Sequence, residues 1–113
     1  MKKLEIIIRP GKLDDLQEIL ELCEYHGITI LNVMGYGKQK GNVKPVRYRG
    51  SVQVNLLPKL KVECVVTNDE SETIVRQVCK EIRTGNYGDG KVFVYDVADV
   101  IRVRTGERGE GAL

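Results

Sequence analysis

The chain alternates between two hydrophobic rhythms. The stretch LEIIIR at 4–9 is short, β-branched and flanked by charge, and Pro10-Gly11 closes it, which predicts a strand. From Leu13 the period changes. Leu13, Leu16, Leu20 and Cys23 fall on one helical stripe, widened by Ile19, with Asp14 and Asp15 in the first turn and Gly27 as the stop. ITILNVMGYG at 28–37 then returns to strand character. The same order recurs: LKVECVV at 60–66 reads as a strand, and Asp69 with Glu72 has the spacing of a capping box. Ile74, Val75, Val78, Cys79 and Ile82 form the stripe of a second helix ended by Gly85, and KVFVYDV at 91–97 is a closing strand.

Two β-α-β units in one domain predict a ferredoxin-like α+β sandwich, a single four-stranded sheet with both helices on one face. At 113 residues the chain can build one core, and a domain of that size hides roughly two thirds of the surface its unfolded chain exposes.

Two segments serve no element of this sandwich. Residues 37–58, GKQKGNVKPVRYRGSVQVNLLP, make a connection too long for a compact domain without a purpose. Val52, Val54 and Leu56 alternate with polar residues, so its second half can form a strand or ribbon that needs a partner surface. The other segment is the tail VIRVRTGERGEGAL. If extended, it places Arg102 and Arg104 on the same side, a pair suited to a polyanion.

Charge sharpens this. The formal net charge is only +2, yet no acidic residue occurs from Gly35 to Val62, where Lys38, Lys40, Lys44, Arg47, Arg49, Lys59 and Lys61 stand. Segregated positive charge in a balanced chain points to local anion sites or a docking surface. A nucleic-acid module is disfavoured by the low net charge and by the single aromatic, Tyr48, on the basic loop. Neither a leader-like segment nor an apolar run of membrane-spanning length is present, which makes the cytoplasm the expected compartment without membrane insertion. Cys23, Cys64 and Cys79 contain no C-x-x-C pair and read as small buried hydrophobes. His26, the only histidine, reads as a helix-terminal residue. With no paired carboxylates and no Ser/His/Asp or Cys/His set, the chain does not read as an enzyme.

The stretch GNYGDGK at 85–91 has the G-x-x-x-x-G-K spacing of a P-loop, but Val92 replaces the required Ser or Thr and a strand follows instead of a helix. Gly88-Asp89-Gly90 can turn successive N–H groups toward an anion beside Lys91. Alone it reads more readily as a plain loop between helix and strand; together with the Arg102/Arg104 pair it gains weight as a phosphate site. Gly35, Gly37 and Gly41, interleaved with Lys38, Gln39 and Lys40, offer a second nest or a hinge into the long loop.

Six blocks in order carry a family likeness: IIIRPGKLDDLQEIL, GYGKQKG, YRG, LPKLKVE, RTGNYGDGKVFVYDV and VIRVRTGERG. The chain resembles the PII nitrogen-regulatory signal-transduction proteins over nearly its whole length. The resemblance implies a single domain, 1–113, with a T-loop at 37–58, a B-loop at 83–91 and a C-loop at 102–109. It implies a homotrimer that binds ATP or ADP in the clefts between subunits. Gly88, Asp89, Gly90 and Lys91 would hold phosphates from one side, with Gly35, Gly37, Lys38 and Gln39 nearby. Arg102 and Arg104 would approach from the other subunit, and Thr29 and Val65 would hold the adenine. With Mg²⁺ and ATP, 2-oxoglutarate would bind through Gln39, as the metal ligand, and Lys59, with Arg9, Lys40 and Gly41 around it. The T-loop, through Tyr48 and Arg49, would dock on a target protein, an ammonium channel first.

The loop departs from the family's usual T-E-L-Y-R-G-A-E-Y, reading V-K-P-V-R-Y-R-G-S-V-Q instead. The tip tyrosine that relatives uridylylate is absent. Ser51 stands where some relatives carry a phosphorylated serine. Basic residues replace an acidic one, which favours as an alternative a specialised regulator, of nitrogenase or another target, that binds adenine nucleotides with an altered 2-oxoglutarate response; a slow ATPase using the same cleft is the lesser rival.

Overall fold

A computed structural model describes residues 1–21, 26–36, 46–48, 52–54 and 56–113. The elements follow the order β1 (Lys2–Ile8), α1 (Leu13–Glu21), β2 (Thr29–Tyr36), β3 (Val46–Tyr48), β4 (Val52–Val54), β5 (Leu56–Val66), α2 (Asn68–Glu81) and β6 (Lys91–Asp96). Four strands form one sheet in the order β2-β5-β1-β6. All of its neighbours are antiparallel, and β1 lies centrally between β5 and β6. This is the expected α+β, ferredoxin-like arrangement.

Alternation decides which face of the sheet is covered. Leu4, Ile6 and Ile8 of β1 and Leu60, Val62, Cys64 and Val66 of β5 are buried against Leu16, Ile19 and Leu20 of α1 and Ile74, Val78 and Ile82 beside α2. The intervening positions of the strands look the other way. There, Lys61 pairs with both Glu5 and Glu63 at 3.6 Å, and Lys3 pairs with Glu63 at 3.5 Å. Leu31, Phe93 and Tyr95 on this face are each at least 40% exposed. A sheet face that mixes half-exposed large apolar groups with a charge ladder is suited to a partner surface.

Several expectations are corrected. The helix α2 begins earlier than the Asp69/Glu72 spacing suggested. Thr67 is the N-cap: its hydroxyl accepts from the Glu70 N–H at 3.3 Å, and the Glu70 carboxylate accepts from the Thr67 N–H at 2.9 Å. Cys79, assigned to the buried stripe, is exposed, whereas Cys64 is buried. Burial, aided by the charge of Glu70, pushes the Cys64 thiol up to about 11, so it serves as packing and not as a nucleophile. Cys23 lies outside the described residues. The four residues before His26 lie outside the described residues, and its Nε2 stands 3.4 Å from the Glu70 carboxylate.

The long connection is shorter than its expected span. Leu56, Leu57 and Pro58 belong to β5 and pair with Tyr36, Gly35 and Met34 of β2. The expected ribbon exists: β3 and β4 pair antiparallel, with Val46 opposite Val54 and Tyr48 opposite Val52.

Candidate functional site

The loop between α2 and β6 is built on one carboxylate. Asp89 Oδ2 accepts from the backbone N–H of Thr84 at 2.8 Å and of Gly85 at 3.0 Å. Its other oxygen accepts from the Thr84 hydroxyl. These bonds, that from the hydroxyl first and with Arg9 nearby, hold the Asp89 carboxyl below the usual carboxylate range. The loop therefore closes on itself through Asp89, whose side chain is turned inward. Left-handed backbone at Gly85, Gly88 and Gly90 completes the turn.

Gly90 has a second constraint. A Cβ there would lie 1.8 Å from the carbonyl oxygen of Ile7, so the loop runs against the backbone of β1. That close approach sets Lys91 opposite Ile7 at the start of β6.

Two cations fasten the loop from below. Arg9 Nη2 donates to the Tyr87 carbonyl at 2.6 Å, and its Nε lies 3.9 Å from Asp89 Oδ1. That Nε is buried and has no hydrogen-bond acceptor among the described residues. Lys59 is only 9% exposed, and its ammonium donates to the Gly88 carbonyl at 2.6 Å. Burial foremost, then Arg9, depresses the Lys59 amine, while Asp89 acts in the opposite direction. A largely buried ammonium that lines the cleft, and whose one hydrogen-bond acceptor among the described residues is a neutral carbonyl, is suited to receive an anion.

These groups surround a cleft of about 490 Å³ lined by Gly35, Lys59, Gly88, Asp89, Gly90 and Lys91, with Ile7, Tyr36, Asn86, Tyr87 and Phe93. The structure thus brings together Gly35, Lys59 and the whole Gly88–Lys91 stretch, with Arg9 at the base. Gly37, Lys38, Gln39, Lys40, Gly41, Arg49 and Ser51 lie outside the described residues, and Tyr48 is described only as a strand position. The aromatic walls Tyr36, Tyr87 and Phe93 were not anticipated. Tyr87 could have been suspected, since it sits within GNYGDGK, but Phe93 joins the cleft only through its register beside Glu5.

Thr29 and Val65 line a different cavity, of about 400 Å³, with Lys3, His26, Glu63, Val100, Ala112 and Leu113. Lys3 and Ile7 mark the two cavities along β1, and four residues of strand separate them by roughly 13 Å.

Arg102 and Arg104 do not share an extended strand. The N–H groups of Thr105 and Gly106 return to the Arg102 carbonyl at 3.3 and 2.7 Å, so 102–106 is a turn. Arg104 is exposed, whereas Arg102 bonds within its own segment.

The family model described as "Nitrogen regulatory protein P-II" matches residues 1–107. The chain belongs to the nitrogen regulatory protein P-II family. It is 47% identical over 114 aligned residues to the P-II protein of Klebsiella oxytoca, and 46% identical to those of Pasteurella multocida strain Pm70 and Escherichia coli K12, the last named P-II 1. Each of these alignments covers both chains completely.

One pH prediction follows from Asp89. Its depressed value means that its contribution is present above its ordinary value of 3.8 and is lost as pH falls through the lower folded value. The stability gap between wild type and Asp89→Asn, read from urea midpoints, should be constant near neutrality and shrink below that pH. A gap that persists unchanged into acid would mean the carboxylate does not organise the loop.

Proposed function

We propose that this P-II protein is a homotrimeric, non-catalytic cytoplasmic regulator that binds ATP or ADP between subunits and senses 2-oxoglutarate with Mg²⁺ and ATP. Its output is docking of the T-loop on a target protein that controls nitrogen metabolism, an ammonium channel being the first expectation.

The observation that carries this reading is the cleft joining Gly35, the Gly88–Lys91 stretch and the buried Lys59. Its backbone donors and cations suit phosphates and a carboxylate together. Thr29 and Val65 line a cavity separate from the Gly88–Lys91 cleft, which suits a ligand whose base and phosphates are held from two different subunits. The open sheet face with Leu31, Phe93 and Tyr95 favours assembly. Among the described residues no group of three His, Cys, Asp or Glu could hold a metal ion. Gln39 and the nucleotide phosphates would hold Mg²⁺, which would supply positive charge for a 2-oxoglutarate carboxylate. No helix among the described residues is long and apolar enough to cross a membrane.

The altered T-loop favours a second version of the same reading, a specialised regulator whose target is not the channel. Its basic residues between Gly35 and Val62 would then meet an acidic partner.

Arg104 provides a direct test. A charge-assisted contact to phosphate contributes roughly 1.5–3 kcal/mol, so Arg104→Ala should weaken ATP binding at least about tenfold while the trimer mass is unchanged. Unaltered affinity would remove the C-loop from the nucleotide site.

A further inference from the structure

The helix face of the sheet is covered unevenly. In β6, Val92 lies opposite Ile6 and Val94 opposite Leu4, so both valines stand on the helix face. Leu4 and Ile6 are fully buried, yet Val94 is 51% exposed. The helices close over the central strands and leave the edge strand β6 partly open. Between α2 and that edge lies a cavity of about 380 Å³, walled by Ile6, Ile8, Val78, Cys79, Ile82 and Val92.

The cavity is far larger than a packing defect. Protein interiors hold few voids bigger than one water molecule, whereas this one has room for about ten. Water held against aliphatic walls is displaced favourably by an apolar group. Arg83 supplies the polar end of the cavity. Among the described residues Arg9, Arg102 and Arg108 form salt bridges, but Arg83 does not. Asp89 also lines the cavity, but both its oxygens accept bonds from Thr84 or Gly85. The carboxyl end of α2 contributes about half a negative charge, which the Arg83 guanidinium outweighs.

The cavity also reaches the glycine-rich loop from behind. Asp89, Gly90 and Lys91 line both it and the cleft on the other face of the sheet. Lys91, opposite Ile7, stands on the cleft face. A guest in the cavity therefore does not compete for its ammonium.

We propose that this cavity is a second ligand site, for a compact aliphatic monocarboxylate whose chain lies along Val92 and whose head meets Arg83. A guest there braces Asp89–Lys91 in the arrangement that faces the cleft, and so tightens nucleotide binding. The coupling, unlike the site, rests on the nucleotide reading given above.

Octanoate is the probe and octan-1-ol its uncharged counterpart. Cys79, exposed on the cavity wall, reports occupancy through its rate of alkylation by iodoacetamide, read by peptide mass to separate it from the other cysteines. Octanoate should slow that alkylation saturably. Arg83→Gln should raise the octanoate needed for half-protection about two- to fivefold, as an exposed ion pair allows, and leave octan-1-ol unchanged. Val92→Phe, which fills the cavity, should abolish protection by both. In the wild type, octanoate should tighten ATP about fivefold and ATP should tighten octanoate equally. Absence of protection, equal losses for octanoate and octan-1-ol in Arg83→Gln, or protection that survives in folded Val92→Phe would overturn the site. A solution mass higher for the wild type than for Val92→Phe would also overturn it, because a second copy would then cover this face. Octanoate binding that leaves ATP affinity unchanged would overturn the bracing. A wild type that binds octanoate but no ATP would sink the nucleotide reading and leave the site standing.

Discussion

Gly90→Ala is expected to disable the glycine-rich loop that we propose holds nucleotide phosphates. The new methyl group would sit 1.8 Å from the Ile7 carbonyl oxygen and 2.9 Å from its carbon, in a backbone conformation with φ near +110° that side chains rarely adopt. Neither obstacle can yield by a side-chain rotation, because the obstruction is the central strand of the sheet. The loop must lift, and Lys91, Asp89 and the Gly88 carbonyl move with it. We expect a loss of stability of about 3 kcal/mol or more. Any residual folded protein should lose at least two charge-assisted contacts to phosphate, a weakening of roughly a hundredfold or more. Gly85→Ala is the control. Its φ is also positive, at +87°, but nothing lies within 4 Å of the added carbon. It should cost only about 1–2 kcal/mol and leave the cleft usable. Denaturant midpoints and ATP titration of both variants decide the matter, and equal behaviour would remove the β1 contact from the explanation.

Lys59→Met carries the second large effect. Methionine keeps the buried stem and discards the ammonium. The charged amine now has one carbonyl partner and an unfavourable environment, as its depressed titration indicates. A ligand carboxylate would give it a full counter-charge in a nearly dry place. Removing it should therefore abolish most of the 2-oxoglutarate response, by tenfold to a hundredfold, since charge-assisted bonds contribute roughly 1.5–3 kcal/mol. Stability should stay within about 1 kcal/mol of wild type, because loss of the Gly88 bond and relief from desolvating the amine oppose each other. Since the folded amine titrates below its ordinary value of 10.5, the desolvation cost is present at neutral pH and fades as pH rises toward that value. Undiminished 2-oxoglutarate binding by Lys59→Met would put the carboxylate elsewhere.

The sandwich was legible because its signals are periodic. Leu4, Ile6 and Ile8 alternate with Lys3, Glu5 and Arg9, interrupted by Ile7, and Leu16, Ile19 and Leu20 recur at helical spacing, so each element announces the face it buries. The capping box was misplaced because Thr67/Glu70 and Asp69/Glu72 have the same spacing. Only Thr67, with φ −68° and ψ 164°, has the extended backbone of a cap. Lys59 looked like one basic residue among many. Its burial beside Leu60, on the opposite face of β5, arises because the distant loop at 85–90 folds over it, which no local pattern encodes. The arginine pair was misread for a related reason. Arg102 and Arg104 would project together from a strand, but positive φ at Gly106 lets the chain turn back onto the Arg102 carbonyl. Residues that build the site by closing loops, such as Thr84 on Asp89 or Glu107 on Arg102, carry no spacing signature. The family blocks supplied much of the site because they mark loops directly, where periodicity is silent.

The central claim is that one cleft couples an adenine nucleotide to a small dicarboxylate. Calorimetric titration of ATP with Mg²⁺, in the presence and absence of 2-oxoglutarate, tests it most directly. The account predicts that ATP binds and that each ligand tightens the other by the same factor, as linkage requires. ATP binding that is indifferent to 2-oxoglutarate would contradict it, and would mean that the P-II fold here serves nucleotide sensing without the carbon signal.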